Sequence, residues 1–240
     1  MTTLVLGPSL GTSAAACWGA CAALLCDDFD VVAWELPGHG ADRGPIPAEL
    51  SIADLATKVL EIVDGSFLYA GDSVGGQVGL HLLLDAPDRV LGAVLCCTGA
   101  TIADDEVWAE RVAQVGASGT ASLVTASAGR WFGPGFVERE PERASALLHS
   151  LRDADDDGYV AVCRALAAYD VRDRLSEIAA PVVAVAGTED PVCPPDSLRE
   201  IADGVPDGRL VVLDGVGHQA PAERPEEVAE LIRQLAKETS

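Results

Sequence analysis

The sequence lacks several features that would place it in common protein classes. Its seven cysteines are an odd number without a C-x-x-C pair, so neither a disulfide framework nor a cysteine metal site is indicated. No apolar run approaches the roughly 20 residues that span a bilayer, and no basic region precedes the first apolar stretch. We therefore expect a cytoplasmic protein with buried free thiols and no bound metal. A cysteine nucleophile stays open as an alternative.

Basic residues are also scarce. The 240 residues include 16 Lys and Arg against 38 Asp and Glu, a formal net charge of −22. This imbalance argues against nucleic acid or an anionic membrane surface as a partner. An anionic substrate would need a local arginine, because the overall field would repel it. The length and the 49% hydrophobic content fit one globular domain that could carry an insertion.

Short apolar runs alternate with helical segments along most of the chain. This order is typical of an α/β protein whose mostly parallel sheet is covered on both faces. The predicted strands are 3–6, 29–34, 67–70, 90–96, 181–187 and 209–213. The predicted helices are 13–25, 51–63, 75–84, 105–115, 118–130, 141–152, 156–168, 195–203 and 225–237. No convincing strand falls within 104–174, so a helical cap is predicted there, inserted in a core of 1–103 and 175–240.

The strand at 67–70 ends in Gly71-Asp72-Ser73-Val74-Gly75, and a helical pattern follows at once. A turn this tight requires glycine on both sides, and it would expose the Ser73 hydroxyl at the carboxyl end of the strand. The pattern by itself is also found in ordinary glycine-rich turns. Residues elsewhere in the chain must therefore decide whether Ser73 is a nucleophile.

Two other loops follow predicted strands and carry an acid and a histidine. Asp190 and His218 lie just past the carboxyl ends of strands 181–187 and 209–213. Ligands bind at this edge of open α/β sheets, and the order serine, acid, histidine is that of the triad in α/β hydrolases. We predict that Ser73 is the nucleophile, His218 its base and Asp190 the residue that orients the base. The alternatives we consider weaker are Asp72, Asp214, His39, His81 and His149.

A serine hydrolase also needs donors for the negative oxygen of its tetrahedral intermediate. The N–H of Val74, directly after the nucleophile, is the first predicted donor. The second should lie in the loop after the first strand, where Leu10 is the prediction and Ser9 the second choice.

With these residues in place, the chain resembles the α/β-hydrolase superfamily and, within it, the 3-oxoadipate enol-lactonases of the protocatechuate branch of the β-ketoadipate pathway. The motifs that carry the resemblance are 8–13 (PSLGTS), 36–40 (LPGHG), 71–76 (GDSVGG), 95–100 (LCCTGA), 130–132 (RWF), Asp156, 158–159 (GY), 187–191 (GTEDP) and 217–218 (GH). The resemblance implies a three-layer α/β-hydrolase fold, no cofactor, and a small anionic lactone as substrate. Arg130 in the cap would then bind the substrate carboxylate, with Trp131 beside it and Ser9 also at the substrate. A surface ion pair is the alternative role for Arg130.

The chain departs from that family because the usual β-hairpin before the first strand is missing. We therefore expect about six strands and an exposed sheet edge that a second copy of the chain could cover. Other hydrolases of this fold remain alternatives: a general carboxylesterase, a C–C hydrolase or a cofactor-free perhydrolase. A small-molecule receptor without turnover is the alternative from a different functional class.

Overall fold

The computed structural model describes residues 1–239 and contains one sheet of six strands. They are β1 (Thr2–Gly7), β2 (Phe29–Ala33), β3 (Phe67–Asp72), β4 (Val90–Cys96), β5 (Val182–Gly187) and β6 (Gly208–Leu213). Their order is β2-β1-β3-β4-β5-β6, and every neighbouring pair is parallel. The prediction of an α/β fold with about six strands is confirmed.

Eleven α-helices are formed within residues 1–239. They are α1 (Ala14–Leu25), α2 (Ile52–Ile62), α3 (Val74–Asp85), α4 (Asp105–Ser118), α5 (Val124–Trp131), α6 (Phe136–Arg139), α7 (Pro141–Asp153), α8 (Asp156–Ala167), α9 (Pro195–Gly204), α10 (Ala220–Glu223) and α11 (Pro225–Glu238). Two 3₁₀ helices cover Thr120–Leu123 and Arg172–Glu177. No helix among these residues is long and apolar enough to cross a membrane.

The central strands carry apolar side chains on both faces because helices cover both faces. Every residue of β3 and of β5 is buried. The register pairs Gly7 with Gly71 and Gly187 with Leu213, so neighbouring strands end nearly level. This common edge is where the loops after β1, β3, β5 and β6 meet.

Local sequence signals set several helix boundaries. The Ser13 side chain accepts a hydrogen bond from the N–H of Ala16, and Ser51 forms a capping box with Asp54, as expected of N-cap residues. The predicted helix at 118–130 is different in the structure. Gly119 adopts a φ of +71° and ends α4, so a 3₁₀ turn and the shorter α5 replace one continuous helix.

All regular structure between β4 and β5 is helical, and the division into a core and a cap insertion at 104–174 stays a prediction. The segment is joined to the sheet side of the molecule by backbone hydrogen bonds, including Asp155 N–H to Gly38 O (2.9 Å) and Val171 N–H to Ala100 O (3.1 Å). The exposed edge strands of the sheet are β2 and β6. Whether a second copy covers either edge stays a prediction.

Candidate active site

Ser73 lies at the apex of a strained turn between β3 and α3. Its φ of 53° and ψ of −116° fall in a region that non-glycine residues rarely adopt. The flanking glycines are required by space: a Cβ on Gly71 would overlap the carbonyl of Gly75, and a Cβ on Gly75 would overlap that of Gly7. The turn is held open by hydrogen bonds from Ser73 N–H to Cys96 O and from Thr98 Oγ1 to Ser73 O.

The structure brings Ser73, His218 and Asp190 into one hydrogen-bonded row. Ser73 Oγ lies 3.0 Å from His218 Nε2, and His218 Nδ1 lies 2.8 Å from Asp190 Oδ2. The other carboxylate oxygen of Asp190 accepts the N–H groups of Val192 and Cys193. These bonds fix the carboxylate, so it can orient the imidazole toward the serine hydroxyl. The row is the geometry in which a base activates a serine nucleophile.

Two backbone amides lie at the positions predicted for oxyanion donors. Within residues 1–239, neither the N–H of Leu10 nor that of Val74 donates to another group of the chain. Val74 is the first residue of α3, where helix amides have no internal acceptor. Ser9 lies beside them, and its hydroxyl accepts a hydrogen bond from Gln219 Nε2 at 3.2 Å.

A narrow cleft of about 70 Å³ opens above Ser73. The cleft is lined by residues of the triad, by the loop after β1 and by the helical segment 104–174. The lining residues are Ser9, Leu10, Ser73, Ala103, Val107, Trp108, Arg111, Arg130, Trp131, Tyr159, Val192 and His218. Larger surface grooves elsewhere in the described chain contain none of the triad residues, so the chemistry of this cleft identifies the site better than size does.

Two arginines give this cleft a positive charge. Burial lowers the pKa of Arg130, and the neighbouring charge of Arg111 lowers it further. The Nε of Arg130 has no hydrogen-bonding partner, and within residues 1–239 neither arginine forms an ion pair with a carboxylate. An anion bound between them would relieve their repulsion and supply the missing acceptor.

Sequence reasoning missed Arg111, although it named Arg130 and Trp131. Arg111 lies on α4, far from any motif, and its guanidinium is 3.4 Å from the hydroxyl of Tyr159 on α8. Burial raises the pKa of Tyr159 to about 12, so this hydroxyl is a neutral donor near the cleft. Because 14 of the 16 basic residues are arginines spread along the chain, no sequence signal pointed to Arg111 in advance.

The weaker triad candidates lie elsewhere or lack the required partners. His39 is buried, and its Nδ1 lies 2.8 Å from Pro37 O. Burial lowers its pKa to about 4, so the imidazole is neutral and its hydrogen bond stabilises the loop. His81 pairs with Asp85 on its own helix, and Asp214 is exposed. His149 lines a groove that contains no triad residue. Asp72 is fully buried near Ser9, with neither carboxyl oxygen in an ordinary hydrogen bond.

One group of potential metal ligands is present in residues 1–239: Asp190, Cys193 and His218 have donor atoms within 4.8 Å of one another. A metal would need the Cys193 thiolate. Burial, with Asp190 and Asp72 nearby, raises the pKa of that thiol well above its usual range. Asp190 and His218 are also hydrogen-bonded to each other. This donor set therefore fits a catalytic hydrogen bond better than a metal site.

Comparison with known proteins agrees with this architecture. Residues 2–225 match the family model described as alpha/beta hydrolase fold. The chain is 31% identical over 227 residues to 3-oxoadipate enol-lactonase 2 of Acinetobacter baylyi, covering 93% of this chain and 84% of that protein. A protein of Pseudomonas syringae pv. syringae provisionally named carbamate hydrolase RutD is 28% identical, over 90% of this chain and 86% of that protein.

The crystal structure of the enol-lactonase from Burkholderia xenovorans LB400 superposes with a TM-score of 0.93 at 29% identity, covering 98% of this chain and 91% of that one. The resemblance stated from the sequence motifs is therefore confirmed as similarity over nearly the whole chain. The predictions of the fold and of a hydrolase are confirmed with it. The chain belongs to the α/β hydrolase fold family.

Proposed function

We propose that the chain is a serine hydrolase that opens 3-oxoadipate enol-lactone to 3-oxoadipate, in the protocatechuate branch of the β-ketoadipate pathway. The relatives named enol-lactonase support the substrate class. The observation that carries the proposal is the pair Arg111 and Arg130 beside Ser73. A chain of net charge −22 keeps two arginines free of carboxylate partners at its nucleophile, where an anionic substrate would bind.

Both arginines suit a carboxylate better than a neutral group. A guanidinium presents donors in a planar fork that matches the two oxygens of a carboxylate. The cleft is partly closed by Trp108, Trp131 and Tyr159, so such an ion pair would be shielded from water and salt.

In the proposed mechanism, Ser73 Oγ attacks the lactone carbonyl while His218 Nε2 takes its proton. Asp190 stabilises the imidazolium that forms. The N–H groups of Leu10 and Val74 donate to the negative oxygen of the tetrahedral intermediate. The intermediate collapses by breaking the bond to the ring oxygen, which leaves as an enolate and receives the proton from His218.

Water then hydrolyses the acyl-enzyme. His218 takes a proton from the water, the hydroxide adds to the acyl carbonyl, and the Ser73 oxygen leaves and is reprotonated. The released enol could close the ring again as long as its oxygen is a nucleophile. Its tautomerisation to the ketone removes that nucleophile, so ring opening becomes one-way.

Other substrates share this chemistry. A carbamate has the same carbonyl and the same kind of tetrahedral intermediate, and several relatives carry a provisional carbamate hydrolase name. Simple esters, carbon–carbon hydrolysis and perhydrolysis use the same triad. None of these reactions by itself requires two unpaired arginines beside the nucleophile, which is why we favour the lactone that carries a carboxylate.

The test compares loss of the enol-lactone, followed by ultraviolet absorbance, with hydrolysis of uncharged p-nitrophenyl acetate. Ser73→Ala should abolish both activities. Arg111→Ala and Arg130→Ala should each raise KM for the lactone about 10- to 100-fold, because a hydrogen bond to a charged group contributes about 1.5–3 kcal/mol. Both variants should leave hydrolysis of the neutral ester within about twofold of wild type. Arg199→Ala, on the exposed side of α9, is the matched control.

Each failure points to a different alternative. Hydrolysis of the neutral ester or a carbamate without any lactone opening would replace our proposal with a general esterase or a carbamate hydrolase. An unchanged lactone KM in both arginine variants would remove the carboxylate-binding role. Tight lactone binding without turnover, retained in Ser73→Ala, would identify a receptor.

A further inference from the structure

A buried carboxylate joins the loop that carries His218 to the helical segment that lines the cleft. Glu223 is 5% exposed. Its Oε1 accepts the N–H of Gly217 at 2.9 Å, and its Oε2 accepts the N–H of Gly133 at 2.8 Å. Gly217 directly precedes the proposed base, and Gly133 follows Trp131 and Phe132 of the cleft segment. The Glu223 side chain therefore connects the backbone at Gly217 to the backbone at Gly133.

A second bond crosses the same contact. The N–H of His218 donates to the carbonyl of Trp131 at 2.8 Å. The backbones approach so closely that a Cβ on Gly217 would lie 2.6 Å from that carbonyl oxygen. We call residues 131–133, 217–218 and 223 the cap–base junction. Through it, the loop that orients the imidazole rests on the backbone of a residue that lines the substrate cleft.

The Glu223 carboxylate is well suited to hold this junction. Both of its oxygens accept N–H groups, and a neutral amide in its place could satisfy only one of them. Burial raises the pKa of Glu223, and the bonds from Gly133 and Gly217 oppose that rise by favouring the charged form. Arg143 of α7 secures the same region from the cap side, with its Nη1 donating to Ala222 O at 2.8 Å.

We infer that Glu223 is a positioning residue of the hydrolase. It fixes the position of His218 relative to Ser73 and couples that position to residues 131–133 of the helical segment. This inference rests on the proposed serine mechanism. Glu223 does not touch the reacting atoms, so it acts only through the backbones of Gly217 and Gly133. Its loss should reduce turnover of every substrate that needs His218, whether or not the substrate carries a carboxylate.

The experiment compares Glu223→Gln with Glu226→Gln, an equal change of charge at an exposed position three residues away. Kinetics on the lactone and on p-nitrophenyl acetate are measured at least 15 °C below each unfolding temperature. The rate of labelling by diisopropyl fluorophosphate reports the reactivity of Ser73 without a cap-dependent substrate. We expect kcat and the labelling rate of Glu223→Gln to fall on the order of 10- to 100-fold, as for a misplaced reacting group. The KM for the neutral ester should change less than threefold.

A purely structural role predicts a different result. If Glu223→Gln lowers only the unfolding temperature and keeps wild-type kcat and labelling, the inference is wrong. Should that variant not fold, Glu223→Asp keeps the buried charge but shortens the side chain by one methylene, which draws the carboxylate away from the amides of Gly133 and Gly217; Glu226→Asp is its exposed control. A Glu223→Asp protein with wild-type kcat and labelling would equally overturn the inference. Failure of the proposed function gives different results in wild type itself. Absence of lactone opening by wild type would refute the substrate, and absence of labelling at Ser73 in wild type would refute the serine mechanism.

Discussion

Asp72 should make the protein less stable as pH rises, and Asp72→Asn should remove that dependence. The side chain is fully buried, and burial raises its pKa well above the usual range, with the charges of Asp190 and Glu223 adding to the rise. The folded state therefore keeps a proton that the unfolded state releases above about pH 3.9. Asparagine has nearly the same shape and cannot ionise, so it tests the charge rather than the packing.

The sign and size of this pH dependence of the free energy of unfolding follow from proton linkage. Below about pH 4 both states hold the proton, and Asp72 does not change the free energy of unfolding with pH. Above that pH the unfolded state ionises while the folded state does not. Wild type then loses about 1.4 kcal/mol per pH unit relative to Asp72→Asn until the pH reaches the raised pKa of Asp72. Two units correspond to about 2.8 kcal/mol, or roughly 6–11 °C in unfolding temperature for a chain of this size.

The assay is urea or thermal unfolding of both proteins at half-unit steps from pH 4 to pH 8. Asp88→Asn, at an exposed position, serves as the control and should track wild type. Only the difference between variant and wild type matters, since other buried acids titrate equally in both. Parallel stability curves for wild type and Asp72→Asn would refute the reasoning, because Asp72 would then ionise alike in the folded and unfolded states.

Two further predictions concern stability. Trp18→Phe should lower the free energy of unfolding by about 1–3 kcal/mol, because phenylalanine removes the indole hydrogen bond to Gly7 O (2.8 Å) and leaves part of a fully buried site unfilled. Equal urea midpoints would contradict this. Ser51→Ala should lower the free energy of unfolding by about 1 kcal/mol because it removes the capping box of α2. The same unfolding assay measures it, with Ser122→Ala as an exposed control. A loss of stability no larger than the control's would show that the capping box contributes little.

The sequence indicated the order of strands and helices because short apolar runs and cap residues act locally. Hydrogen bonds within a few residues define the helix starts at Ser13 and Ser51, and backbone sterics at the flanking glycines define the turn at Ser73. The shared edge of a parallel sheet then made it reasonable to predict that Asp190 and His218 would meet Ser73. That step needs only the direction of the strands, and no detail of packing.

The tertiary structure alone decided which distant groups surround that edge. Arg111 comes from α4 and Arg130 from α5, and no local pattern reports that the two charges share one cleft. Glu223 lies five residues beyond His218, yet its role depends on Gly133, which reaches it only after the helical segment folds back. The sequence by itself predicted most of the elements and the residues proposed for the three loops, because those follow from local sterics and strand direction. The charge of the cleft and the contacts of the His218 loop arise from long-range packing, which only the folded chain reveals.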